Sequence, residues 1–196
     1  MAAYVTIIQG SPRRRGNTES AVRRLVEHLD GGTEVSLVTL AELRVSRCIG
    51  CRRCISEGIC AIADDDFPRL WGAIRLTDVI VQACPVYWHS PPGLMKDFID
   101  RTHSTYPDRG YLRGKRAYHL VVAADSGFET CETIMGSWIT SYGGKVSGTA
   151  RLLARDLGEL EARPENLRRI EEMAGEILAL CAKERQEGPG AKTSSV

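Results

Sequence analysis

Short β-branched runs alternate with amphipathic stretches along almost the whole of this 196-residue chain, and that alternation leaves little choice of fold. A run that is apolar on both sides suits a parallel strand, and an amphipathic helix must lay its stripe on something. Repeated strand-helix units solve both problems at once, with helices on both faces of one sheet. The pattern predicts strands at 4–9, 34–39, 79–83, 116–123 and 145–152, and helices at 18–29, 67–74, 93–101, 129–142 and 165–183. Ala21, Val22, Leu25, Val26 and Leu29 make the stripe of the first helix, and Leu167, Ile170, Met173, Ala174, Ile177 and Leu178 that of the last. The expectation is one α/β domain over 1–185, a doubly wound five-stranded parallel sheet. The segment 186–196 is polar and Gly/Pro-rich and reads as a disordered tail.

Charge and hydropathy exclude several function classes. The net charge is +1, and no long basic block follows Arg13-Arg14-Arg15, so nucleic acid is not an expected partner. The first apolar stretch, 4–8, ends at Gln9-Gly10 without a basic leader or cleavage site, which makes it a buried strand and not a signal peptide. No apolar run approaches bilayer length. We therefore expect a cytoplasmic protein with no membrane partner and reduced thiols.

Three strand-to-helix loops carry chemistry. The first, 10–20, offers hydroxyl and amide side chains beside the free N–H groups of a helix start, a suitable place for a phosphate. Asn17-Thr18 stands where a P-loop has Lys-Ser/Thr, and no G-x-G-x-x-G occurs. A terminal monophosphate fits better than a triphosphate or a dinucleotide, and simple helix capping by Asn17 or Thr18 is the alternative. The second loop, Pro85-Val86-Tyr87-Trp88-His89-Ser90, sets two aromatics between prolines at the carboxyl end of a central strand, where open α/β sheets bind ligands. The third, 124–128, contains Asp125 and Gly127; a glycine there lets backbone approach a ring, or simply makes the turn. His89 is a weaker candidate proton donor, with a solvated histidine as its alternative. Trp71 and Trp138 fall on predicted helices and read as core, as do the isolated thiols Cys84, Cys131 and Cys181. Tyr106 and Tyr111, in the segment 102–113, suggest a lid, a dimer contact or a plain surface loop.

The remaining signal is the run Cys48-Ile49-Gly50-Cys51-Arg52-Arg53-Cys54, followed by Cys60. Ionised thiols that close repel one another, and a multivalent cation relieves the repulsion. The spacing suits one [4Fe-4S] cube, with structural zinc or free regulatory thiols as alternatives. Arg47, Arg52 and Arg53 flank the run and can offset its negative charge.

Taken together, these residues resemble the flavodoxin-like NADPH-dependent FMN reductases, and the cysteine run is similar to that of their iron-sulfur flavoprotein branch. The resemblance spans residue 5 to about 150. It implies a flavodoxin-like fold with FMN held at its phosphate by Ser11, Arg13, Asn17 and Thr18. Pro85, Val86, Tyr87 and Trp88 would border the isoalloxazine, with Ser90 nearby. Leu94-Met95-Lys96-Asp97-Phe98-Ile99-Asp100-Arg101 is similar to the family's following helix, and Asp64-Asp65 matches the pair that follows the cysteines. A [4Fe-4S] cluster on Cys48, Cys51, Cys54 and Cys60, in an insertion at 47–61, is implied as well. So is an enzyme that couples flavin electron-pair chemistry to single-electron transfer, with a small-molecule substrate or a carrier such as a ferredoxin-like protein or NAD(P)H. Some similar proteins are dehydrogenases of secondary metabolism, acting for instance on an aminodeoxychorismate ring. A cluster-free NAD(P)H-dependent reductase of flavin, quinones or nitro compounds, and a non-catalytic electron-transfer protein, are the other readings. In the family the cluster lies near the flavin of a neighbouring subunit, which implies a homodimer or homotetramer.

Overall fold

A computed structural model describes residues 3–105 and 107–187; of the expectations above, those on Tyr106 and on 188–196 lie outside it. Five parallel strands, β1 (Tyr4–Gln9), β2 (Glu34–Thr39), β3 (Val79–Pro85), β4 (Arg116–Ala123) and β5 (Lys145–Leu153), form one sheet in the order β2-β1-β3-β4-β5. This is the doubly wound, flavodoxin-like order. The helices are α1 (Asn17–Leu29), α2 (Arg53–Ser56), α3 (Phe67–Ile74), α4 (Gly93–Arg101), α5 (Phe128–Ser141), α6 (Glu159–Ala162) and α7 (Pro164–Glu187). Two further 3₁₀ turns cover Leu40–Glu42 and Thr102–Thr105.

All five expected strands form. β3 extends two residues past expectation because Pro85 still pairs with Val122, and the next amide, Val86, donates to the Val122 carbonyl at 2.8 Å. The last helix runs to Glu187, which takes in the first two residues assigned to a tail. Successive side chains of the central strands alternate between two cores. Val5, Ile7, Val81, Leu120 and Leu152 pack with Leu25 of α1 and with Ile170, Met173, Ala174 and Ile177 of α7. Ile8, Ile80, Cys84 and Val121 face the opposite way, toward Trp71 of α3, Phe98 of α4 and Met135 and Trp138 of α5. Trp71, Trp138, Cys84, Cys131 and Cys181 are all buried, as expected.

The second core holds a polar pair. Gln82 of β3 and His119 of β4 are register partners, both are buried, and neither side chain has a hydrogen-bond partner among the described residues. Burial pushes the His119 imidazole down from 6.5 to about 4, against a small opposing pull from Glu132. The unfolded chain therefore binds a proton between those values that the native state refuses. Stability is full above pH 6.5 and falls as the pH drops toward 4, by up to about 3 kcal/mol from this residue. Urea denaturation of wild type and His119→Phe at pH 7.5, 5.5 and 4.5 should show a gap that moves in the variant's favour as the solution is acidified. A gap that stays constant would mean that the imidazole titrates normally.

Candidate functional site

The chain leaves β1 for one edge of the sheet, through β2, and returns for β3 on the other side of β1. The loops after β1 and β3 therefore diverge at the switch point where such sheets open a crevice. At that point the Gly10 N–H donates to the Ala83 carbonyl at 2.8 Å. A Cβ on Gly10 would come within 2.9 Å of the Met95 Cβ, so the close passage of the loop over α4 requires glycine here.

In the first loop Ser11, Asn17 and Thr18 are buried, while Arg13, Arg14 and Arg15 are exposed. The Ser11 Oγ accepts from the Arg13 N–H at 3.3 Å, which closes a tight local turn. Gly16, the N-cap of α1, is extended, and no side chain caps the helix. Asn17 is not a cap either. Its Nδ2 donates to the Asp156 carbonyl at 2.8 Å, while its buried Oδ1 has no partner among the described residues. An uncapped helix start with buried hydroxyls and amides around it is the arrangement that accepts an anion. Asp156, in the loop after β5, is a contact that the sequence pattern did not reveal.

The second loop folds back on itself. The Tyr87 and Ser90 backbones pair antiparallel, each N–H donating to the other's carbonyl at 2.9 and 3.0 Å. Trp88 and His89 between them both take left-handed φ, at 50° and 58°. This is the geometry of a two-residue I′-like turn, a position that favours Asn-Gly and puts strain on side chains such as these. Trp88 is left 97% exposed at the tip, with Tyr87 partly exposed beside it. Pro85 and Val86 are half-buried below. The third loop closes onto this turn. Gly127 has a φ of +90°, and a Cβ there would lie 2.9 Å from Val86 Cγ1 and 3.0 Å from the His89 Cα. Asp125, exposed, pairs with Arg155 at 3.2 Å and joins the loops after β4 and β5. Ser11, Asn17 and Thr18, after β1, and Val86, Tyr87, His89 and Gly127, after β3 and β4, all stand at the carboxyl ends of the strands.

The cysteine run lies between β2 and α3. Cys48, Cys51, Cys54 and Cys60 line one cavity of about 680 Å³, together with Asp100, Arg101 and His103 from the end of α4 and the turn after it. Burial, and then the charges of Cys60, Cys48 and Cys51, push the Cys54 thiol up. Among the described residues no three His, Cys, Asp or Glu groups are gathered at metal-holding distance. Of the arginines expected to balance the thiols, Arg53 is engaged with Glu57 at 2.7 Å. A different cation is buried at the site. The Arg101 guanidinium, 1% exposed, pairs with Asp65 at 2.5 Å. Burial works against its charge, but the hydrogen bond and charge of Asp65 and the neighbouring Cys60 thiol outweigh that effect and raise its pKa.

Comparison with known proteins agrees with this fold. The family model described as NADPH-dependent FMN reductase matches residues 3–153. An iron-sulfur flavoprotein of Archaeoglobus fulgidus is 34% identical over 121 residues, 61% of this chain and 54% of that protein. One from Methanosarcina thermophila is 32% identical over 99 residues, covering 50% and 51%. The chain spans about half the length of these curated relatives. The solved NAD(P)H:quinone oxidoreductase from Methanothermobacter marburgensis superposes with a TM-score of 0.74 at 19% identity, over 90% of this chain and 96% of that one, a likeness of fold. No helix among the described residues is long and apolar enough to cross a membrane.

Proposed function

The chain belongs to the NADPH-dependent FMN reductase family, and from that premise we propose that it is an FMN-dependent oxidoreductase whose cysteine loop carries a [4Fe-4S] cluster. The observation that supports the flavin site most directly is the α1 start without a side-chain cap, at the carboxyl end of β1, where the buried Asn17 Oδ1 has no partner among the described residues. The donor set on the second cavity, four thiols within one short loop, fits an iron-sulfur cluster in type and number. When bound, FMN exchanges electrons in pairs or singly and an iron-sulfur cluster exchanges them one at a time, so the two together convert one kind of traffic into the other.

The residues of this chain bind and orient. Ser11, Thr18 and the α1 N–H groups hold the terminal phosphate, and Asn17 is fixed in place through Asp156. Arg13, exposed beside them, is free to approach the phosphate from solvent. Pro85, Val86, Tyr87 and Gly127 line the ring side, with Ser90 and Asp125 at its margin and Trp88 covering the ring or its reaction partner. Cys48, Cys51, Cys54 and Cys60 hold the cluster. Electrons come from or go to NAD(P)H, a ferredoxin-like carrier or a small organic molecule, and the working unit is a homodimer or homotetramer. Oxidation of an aminodeoxychorismate-like ring is the most specific activity within this reading, tested by assaying such a compound with an added acceptor.

Anaerobic purification followed by quantitation of iron, acid-labile sulfide, zinc and FMN tests the proposal. Four irons and four sulfides per flavin are expected for a single cube. Flavin with zinc or without metal would replace the proposal by a cluster-free NAD(P)H-dependent reductase. Cys51→Ala should abolish the iron and leave FMN stoichiometry unchanged, because the phosphate loop shares no residue with the cysteine cavity. Joint loss of both would tie the cysteine loop to the flavin site.

A further inference from the structure

One guanidinium holds both ends of the cysteine loop. Arg101, the last residue of α4, donates from Nη1 to the Ser46 carbonyl and from Nη2 to the Ile62 carbonyl, each at 2.8 Å. Ser46 stands two residues before the first cysteine and Ile62 two residues after the fourth. Asp65 completes the arrangement. It takes Nη1 at 2.5 Å and Nη2 at 3.3 Å, and also accepts the Ser46 N–H at 2.9 Å and the Phe67 N–H at 3.2 Å. The guanidinium lies over the Phe67 ring, 4.7 Å from its centre, and both partners of the ion pair are sealed from water. Beyond the loop ends, the Asp66 N–H donates to the Arg44 carbonyl at 2.9 Å and the Arg44 N–H donates to the Asp66 carboxylate at 2.8 Å.

We propose that Arg101 and Asp65 form a clamp that closes the cysteine loop before any metal arrives. A loop of this length would otherwise have to be closed by the metal, at an entropic cost charged against binding. The planar fork of arginine reaches two carbonyls and a carboxylate at once, which lysine cannot do. Arg101 is thus a positioning residue: it bonds the backbone that carries the thiols. The clamp's role in metal loading rests on the cluster reading above, whereas the closure itself does not.

The test compares wild type with the double variant Arg101→Met/Asp65→Leu, which replaces a buried ion pair by apolar side chains of similar bulk and so tends to preserve folding. Arg101→Lys is the second variant, retaining the charge and losing the fork. Hydrogen exchange over 47–61 is measured on the metal-free protein with FMN bound, and iron and sulfide per flavin after anaerobic reconstitution. We expect exchange over 47–61 to quicken at least tenfold in both variants. Iron should fall below half the wild-type content in the double variant and be partly restored in Arg101→Lys. Unchanged exchange in the double variant, or in Arg101→Lys should the double variant not fold, would overturn the clamp. Faster exchange with full iron would overturn its role in metal loading. A wild type that takes up no iron would instead defeat the cluster reading, and exchange alone would then decide the clamp.

Discussion

Asp65→Ala is expected to cost about 3–5 kcal/mol of folding stability, among the largest losses any single side chain here can cause. The carboxylate is entirely buried and serves four donors, two on Arg101 and the backbone N–H groups of Ser46 and Phe67. Its removal strands a guanidinium that α4 holds away from water, and the penalty is that of an uncompensated buried charge more than of lost contacts. Burial on its own would raise the Asp65 pKa, but the Arg101 hydrogen bond and the two backbone N–H groups outweigh it and hold the carboxyl below its ordinary 3.8. The native state therefore binds fewer protons here than the unfolded chain does. The contribution is full above that ordinary value and fades as the pH falls through the lower folded value. Urea denaturation at pH 7 and pH 3 should show the gap between wild type and variant narrowing in acid. A gap below about 1 kcal/mol at pH 7 would place this pair with weak surface bridges.

Gly127→Ala is expected to weaken FMN binding at least tenfold, about 1.4 kcal/mol, while the sheet remains intact. The left-handed φ of +90° already penalises any side chain, by about 1–2 kcal/mol. The added methyl must also displace Val86 and the backbone of His89, neither of which is the loose end of a flexible chain. The 85–90 turn would move, and with it the wall assigned to the ring. Titration of apoprotein with FMN, followed by flavin fluorescence, reads the affinity. Wild-type affinity in a folded variant would remove the 124–128 loop from the flavin site.

The sheet was legible because its strands are short apolar runs whose periodicity survives without context, and β3 with its neighbours is buried along nearly its whole length. The helices α2 and α6 escaped notice, since four residues make barely one turn and carry no periodic stripe. Within the candidate site, features confined to one segment were legible in the sequence and long-range contacts were not. The hydroxyls of the first loop and the proline-flanked aromatics were visible in their own segments. Asn17 meets Asp156 across 139 positions and Arg101 meets Asp65 across 36, and no spacing rule connects such residues before the chain is folded. The arginines beside the cysteines drew attention by adjacency, yet the buried cation comes from α4. The strained turn was equally hidden, because Trp88-His89 carries none of the Asn-Gly chemistry that announces a left-handed pair.

Because Ser46 and Ile62 are hung on the same guanidinium, everything between them begins and ends at one spot on the scaffold. The excursion runs from the edge strand β2 to α3 and pairs with no strand of the sheet. In engineering language it is a cartridge. A short polar turn joining its two ends would leave the five strands and their helices with the packing they already have. A different ligand loop, cut to the same two anchor points, could be seated in the same holder.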